Sequence, residues 1–430
     1  MARRARSAVL LLALAFLHVA QQQQLAAYPF HVSCSGLAAS KQTCLFNNVC
    51  FVPGANASLT VLLHGTSTAQ HTELARRHFE GLLAPHYGGG VWFNASNAPA
   101  PVRSDPDGPT VDHAVTLFWR PDPNNQYSFG HALVNEVFSM FLVLSNHFGD
   151  HIPRRLQVVC ASSWHPVLHH LVSSMIAHRA QLWTDKMKAH ERGVCYRHVL
   201  VGDGGYVHAS RASLTNSGHP QAAQYASGPS FFSSRNWWAF RAYALELAGV
   251  VEDNSAHHTR PRDLVLLNDK RHGSEADRRM IMDIEQVAAN LSAALPSAEV
   301  AAVRIRDLAW PDQLRVLTRT SVFITTQGSS AFRLIFLPRG AVCVMVGAPA
   351  EPGSEWESFH ELDKWFPLSW VEFVKYEVPL NATWAYEPSP LSCTWVNNTN
   401  TRDRGWCLYN ANIRLNASRL HGIVAPFVRA

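Results

Sequence analysis

The chain has 430 residues, 47% hydrophobic and 16% charged, so it can bury a large core and is long enough for two or three domains. A formal net charge of +5 without a long Lys/Arg run leaves no electrostatic footprint for nucleic acid. The 23 histidines are scattered and form no HExxH: His360-Glu361 comes nearest, but Lys364 stands where the second histidine belongs.

At the N-terminus, Arg3, Arg4 and Arg6 precede an apolar run from Ala8 to Ala20, broken by His18. Residues 1–20 read as a signal peptide or a short signal-anchor, because a spanning helix needs about 20 apolar residues. Either delivers the rest of the chain to the lumen of the endoplasmic reticulum or Golgi, with membrane contact only through that segment. Sequons at Asn56, Asn94, Asn290, Asn381, Asn397 and Asn416 agree with this address. So do the cysteines: Cys34, Cys44 and Cys50 form a close group, and Cys393 and Cys407 a pair, which suggests local disulfide staples. Cys160, Cys195 and Cys343 sit in or beside apolar runs, where Cys343 reads as a small buried residue.

Further along, Ser58 to Leu63 and Thr116 to Trp119 predict strands, and Ala98 to Thr110 a Pro/Gly/Asp loop. Between Gly130 and Asn146, Leu133, Val137, Met140, Phe141 and Leu144 fall on one helical face. Leu156 to Ala161 predicts a strand, His165 to Lys188 a largely helical stretch, and His198 to Gly202 another strand. This alternation argues an α/β domain with a mainly parallel sheet over residues 31–234, closed by a Ser/Gly-rich run from Ser210 to Ser234. A second α/β domain over 235–366 follows: helix Trp237 to Val250, strand Asp263 to Leu267, helix Glu275 to Leu295, strand Val300 to Ile305 and helix Pro311 to Thr318. Residues 367–430 read as an irregular extension.

The most informative stretch lies late in the second domain. Val322 to Thr325 predicts a buried strand, Gln327 to Ser330 a small-residue loop, Ala331 to Leu337 a short helix and Ala341 to Val346 a second buried strand. A glycine and two serines at a helix mouth can present unpaired N–H groups to an anion, and open α/β sheets place ligands at the carboxyl ends of their strands. A phosphate-bearing ligand such as a nucleotide sugar is the first expectation.

Three segments, in order, resemble glycosyltransferase family 61. YSFGHALVNEVFSMF, Tyr127 to Phe141, is similar to the family's N-x-G-H-x-L-x-D-E-x-x-P block. Arg260 to Val287 resembles its strand, basic turn and R-x-I-x-N-x-E helix. Ala309 to Ala341 resembles a helix carrying a Gln, a strand, and H-G-A-x-L-x-N-x-x-F-L-P-x-G-A. The entry KQTCLFNNVCF, Lys41 to Phe51, is similar to its C-x-x-x-N-x-C leader. Gln327 stands where the family usually has histidine, Ser329-Ser330 replaces Ala-Gly, Asn135 replaces an aspartate and Asp283 an asparagine, which marks a divergent member.

The resemblance implies a GT-B fold, two Rossmann-like lobes with a cleft between them. The acceptor sits on the N-terminal lobe and the nucleotide sugar mostly on the C-terminal one. It implies an inverting transfer of N-acetylglucosamine, xylose or arabinose from a UDP-sugar co-substrate to a protein or glycan hydroxyl, with no other cofactor and no metal. His131, beside Gly130, is the expected catalytic base or acceptor-positioning group, and Glu136 the alternative base, although a surface helix carboxylate needs no function. The expected donor-binding residues are Arg271, Gln327, Gly328, Ser329, Ser330, Arg333 and Glu285. Arg271 could fork onto the diphosphate and Lys270 act as a point charge; Arg278 and Arg279 read as a solvated helix face from which one could still reach the site, and Glu285 as a holder of ribose or arginine. Asp105-Pro106-Asp107 matches a metal-holding D-x-D formally but follows no apolar strand. Leu62 to Thr68 resembles a hydrolase oxyanion loop, yet no G-x-S-x-G nucleophile elbow exists. The stronger rival is a non-catalytic secreted carbohydrate-binding protein, its 13 tryptophans serving to stack on sugars.

Overall fold

The structure is a computed structural model describing residues 32–35, 43–54, 56, 58–64, 69–83, 90–96, 110–121, 128–149, 151–153, 156–160, 164–176, 179–189, 193–203, 233–252, 263–271, 279–349, 368–387, 407, 408 and 410–428. Residues 1–20, Arg278, Cys393, Asn397 and the Asp105-Pro106-Asp107 loop lie outside this set. No helix among the described residues is long and apolar enough to cross a membrane. The chain divides into two α/β units: Met1–Gln126 with Asn135–Gly228, and Tyr127–Val134 with Pro229–Ala430.

The first unit is built on a mixed sheet of eight strands: β1 Val32–Ser35, β2 Thr43–Pro53, β3 Leu59–His64, β4 Val91–Ser96, β5 Thr110–Arg120, β6 Leu156–Cys160, β7 Arg179–Leu182 and β8 Val194–Asp203. Their order is β4-β3-β2-β8-β5-β6-β7, with β1 added on β2. β2 runs antiparallel to β1, β3 and β8, while the β3–β4, β5–β6, β5–β8 and β6–β7 pairs are parallel. The helical stretch expected from His165 to Lys188 is interrupted, because Arg179–Leu182 pairs with β6 as a short strand.

Phe51 organises the core of this unit. Its ring lies 5.4 Å from Phe79, 5.2 Å from Phe118, 5.1 Å from Trp183 and 5.8 Å from Tyr196. Edge-to-face and offset contacts of this kind add roughly 0.5–1.5 kcal/mol per pair beyond area burial.

The cysteine pairing corrects one expectation. Cys34 joins Cys44 across β1 and β2, a local staple as read from spacing. Cys50 leaves that group and joins Cys195, 145 residues away, because β2 and β8 are register partners at that point. Sheet topology sets this link, and spacing carries no trace of it. Cys407 is disulfide-bonded, while Cys160 and Cys343 are buried thiols; burial pushes the Cys343 thiol up, away from reactivity.

The second unit has a five-stranded parallel sheet: β9 Leu264–Asn268, β10 Glu299–Val303, β11 Thr320–Thr326, β12 Ala341–Gly347 and β13 Val371–Glu377. β9, β11 and β12 are near-continuous apolar runs, as strands covered on both faces must be. The stretch after 367, irregular by sequence, supplies β13. Its Tyr376, Val378, Tyr386, Leu420 and Val424 join the same core as Val265, Ile324 and Val344. Around β9–β11 stand helices Ile284–Ala294 and Trp310–Arg319.

Strand order in this sheet is β10-β9-β11-β12-β13. The chain steps from β9 outward to β10, then crosses back to β11 on the other side of β9. The connections therefore change direction between β9 and β11, and a doubly wound sheet opens its ligand crevice at the carboxyl ends of such a strand pair.

Opening the Cys50–Cys195 link should destabilise the first unit by about 3–5 kcal/mol, given the length of the loop it closes. Urea unfolding of the Cys50→Ala, Cys195→Ala double variant against the oxidised wild type measures this, and coincident curves would refute it.

Candidate active site

The crevice between β9 and β11 is tied together by polar side chains. Asn268 ends β9 and donates from Nδ2 to Thr325 Oγ1 at 3.0 Å and to Ser330 Oγ at 3.3 Å. Lys270 follows two residues later, and its ammonium donates to the backbone carbonyl of Gln327. Thr326 Oγ1 in turn donates to the carbonyl of Arg279. Both strand-end loops thus converge on Gln327-Gly328.

Gly328 must be glycine on two counts. Its φ of +104° belongs to glycine, and a Cβ placed there would lie 3.1 Å from Arg279 Nη1 and 3.3 Å from Lys270 Nζ. The ends of two cationic side chains therefore lie beside the loop backbone. The short helix expected from Ala331 to Leu337 is a 3₁₀ helix over Ser329–Phe336. An eight-residue 3₁₀ run is long for that geometry, a feature associated with functional or strained positions.

Arg279 takes the second of its two expected placements, at the loop rather than on a helix face. It is no solvated helix residue: the helix begins at Ile284, and Arg279 sits at φ +57° with its guanidinium at Gly328. Arg271, expected to fork onto a diphosphate, is instead held by carboxylates. Its Nη2 donates to Asp269 Oδ2 at 2.7 Å and also to Glu285. Glu285 thus holds an arginine, one of its two expected roles. Burial pushes the Asp269 carboxyl up, but hydrogen bonds from the Arg271 side chain and backbone, with the charges of Arg271 and Arg304, outweigh it and leave Asp269 below the ordinary carboxylate value.

Arg333 is 5% exposed. Its Nε donates to Gln313 Oε1 at 2.9 Å, and its guanidinium carbon lies 4.0 Å from the centre of the Phe129 ring. Gln313 is fixed in turn by donating to the Leu308 carbonyl at 2.9 Å. Burial, with the nearby charge of Arg306, pushes the Arg333 guanidinium down to about 10. Arg333 has no carboxylate among its described partners.

The Phe129–His131 turn packs against the 3₁₀ helix within the same unit. A Cβ on Gly130 would stand 2.9 Å from Phe332 Cδ2 and 3.2 Å from Ser329 Cα, so only glycine permits this approach. His131 is the next residue and is exposed, its amide capped by Ser128 Oγ at 3.3 Å. From Ala132 to Val137 the helix widens into a π-helix before resuming at Phe138–Phe148. Glu136 falls in this stretch and overturns the surface reading. It is 0% exposed and accepts a 2.7 Å bond from the Trp119 indole N–H.

Gln327, Gly328, Ser329, Ser330 and Arg333 therefore cluster around one loop, with the Gly130-His131 turn packed beside it, while Glu136 belongs to the other unit. Sequence reasoning did not single out Asp269 or Gln313 as site residues. Gln313 carried a faint signal as the polar residue on the buried stripe of Trp310, Leu314 and Leu317.

This is a doubly wound α/β unit with a basic crevice at its switch point. The family model described as Glycosyltransferase 61 matches residues 129–344, from the Gly130-His131 turn through β12. The chain belongs to glycosyltransferase family 61. It is also similar to protein O-linked-mannose beta-1,4-N-acetylglucosaminyltransferase 2 of Bos taurus, 21% identical over 319 residues, and of Mus musculus, 21% identical over 321 residues. Each match covers 73% of this chain and 51% of the relative, so the chain spans about half the length of the curated relatives it matches. Superposition on the Flv1 flavodiiron core of Synechocystis reaches a TM-score of 0.18 at 8% identity, over 82% of this chain and 94% of that one, and carries no weight.

Gly130→Ala should cost about 1–3 kcal/mol through overpacking, with part recovered by adding Phe332→Leu. Denaturant unfolding of both variants reads this, and an unchanged single variant would contradict the contact. Because the folded-state pKa of Asp269 is depressed, its contribution is full above the unfolded value near 3.9 and vanishes as pH falls through the folded one. Asp269→Asn should therefore flatten the loss of stability below about pH 4. Parallel acid-unfolding curves for the two proteins would dismiss this.

Proposed function

We propose that the chain transfers a sugar (N-acetylglucosamine, xylose or arabinose) from a UDP-sugar to a hydroxyl of a protein or glycan in the secretory pathway. The reaction inverts the anomeric centre and uses no metal, on a GT-B arrangement in which each unit supplies one lobe. The observation that carries this reading is the convergence of Lys270 and Arg279 on Gly328 at the β9/β11 switch point.

In the proposed step His131 takes the proton from the acceptor hydroxyl. The acceptor oxygen attacks the anomeric carbon, and the bond from that carbon to the diphosphate breaks. Charge builds on the leaving UDP, where Lys270, Arg279, the Ser329 and Ser330 hydroxyls and the loop amides receive it. Positive charge fixed in place does the work a divalent cation does in other transferases. Arg333, buried without a carboxylate, adds to that potential, and the Asp269–Arg271–Glu285 group holds the β9 loop in shape. Gln327 contributes its backbone, which anchors Lys270.

The acceptor is assigned to the N-terminal unit. There a cavity of about 410 Å³, lined by residues that include Trp164, Pro166, His169, Gln181, Leu182 and Asp185, brings an indole together with polar groups. That volume and mixture suit a small polar ligand.

Release of UDP from a panel of UDP-sugars with candidate acceptors tests the reading. His131→Ala should lower kcat about 10²–10⁴-fold and leave donor affinity intact. Arg279→Ala should weaken donor binding by about 1.5–3 kcal/mol. Turnover of no donor by the wild type, or equal turnover by all three proteins, would remove the assignment.

A further inference from the structure

β4, Val91–Ser96, is the edge of the first sheet: in the described strand order it has one neighbour, β3. Its sequence, VWFNAS, combines β-formers with no charge and no proline, so it carries none of the residues that keep exposed edges from pairing with other chains. Successive side chains alternate between faces. Val91 and Phe93 pack against the aromatic core, whereas Trp92 and Asn94 are exposed on the opposite face, Trp92 at 61%. Among the described residues, few large hydrophobic side chains are so open. Asn94 also begins the sequon Asn94-Ala95-Ser96, two residues after that indole.

We propose that Asn94 carries an N-linked glycan whose first sugar lies on the Trp92 indole, and that this glycan guards the β4 edge. Register supports the contact, because residues two apart on one strand share a face and lie within reach of each other's substituents. The group is bulky and hydrated, so it both covers the apolar ring and blocks a second chain from approaching the free edge. Its source is a lipid-diphosphate-linked oligosaccharide of the secretory lumen. A bond forms between Asn94 Nδ2 and the anomeric carbon, the bond from that carbon to the lipid diphosphate breaks, and the amide loses one proton. The proposal rests on secretory entry, as read from residues 1–20, and is independent of the transferase reading.

The full chain is expressed in secretory eukaryotic cells and treated with a glycan-releasing amidase in ¹⁸O-water, and its peptides are weighed. Asn94 should appear as ¹⁸O-labelled aspartate; an unlabelled Asn94 overturns the proposal. Deglycosylating the folded wild type should convert monomer into concentration-dependent oligomers on size-exclusion chromatography. Asn94→Gln and Ser96→Ala should do the same, and adding Trp92→Lys should restore the monomer. Deglycosylated protein that stays as monomeric as the untreated sample, or oligomers that persist with Trp92→Lys, would also overturn it.

Discussion

The amide of Asn268 bridges Thr325 and Ser330, and on that bridge the rest of the C-terminal unit's chemistry depends. It couples the ends of two parallel strands at the one place where the winding of the sheet reverses. Lys270 can reach the Gln327 carbonyl only because β9 and β11 end in step. With the strand ends tied, the Gly328 turn takes a backbone conformation open to glycine, and Ser329 meets Gly130 at backbone distance.

Charge follows from this framework. Lys270 and Arg279 both reach Gly328, while Asp269 and Glu285 pair with Arg271, and Asp269 also with Arg304. Arg333 is buried with an amide and an aromatic ring for company. Cations gathered beside one loop suit an anion, and in the proposed reaction that anion is the departing diphosphate.

Much of this was legible in the sequence because it is periodic or local. The apolar runs of β9, β11 and β12, the small-residue loop at Gln327 to Ser330 and the Gly130-His131 pair stood out as residues. What escaped depends on tertiary placement. Glu136 looked like a surface carboxylate until the Trp119 indole enclosed it. Arg279 looked like part of a helix predicted from Glu275 to Leu295, but the helix starts only at Ile284, after a left-handed Asp283. Arg271 has the right chemistry for phosphate, but Asp269, two residues before it, takes up its donors. The Cys50–Cys195 link follows from antiparallel register between β2 and β8, which composition and spacing do not encode.

Calorimetric titration of the wild-type protein with UDP and with uridine tests the central claim most directly, because the two ligands differ only in the diphosphate. UDP should bind at least about tenfold more tightly, the worth of one charge-assisted hydrogen bond, and its affinity should fall as salt is raised. Equal affinities for the two, unchanged by salt, would show that the loop after Thr326 does not receive a diphosphate.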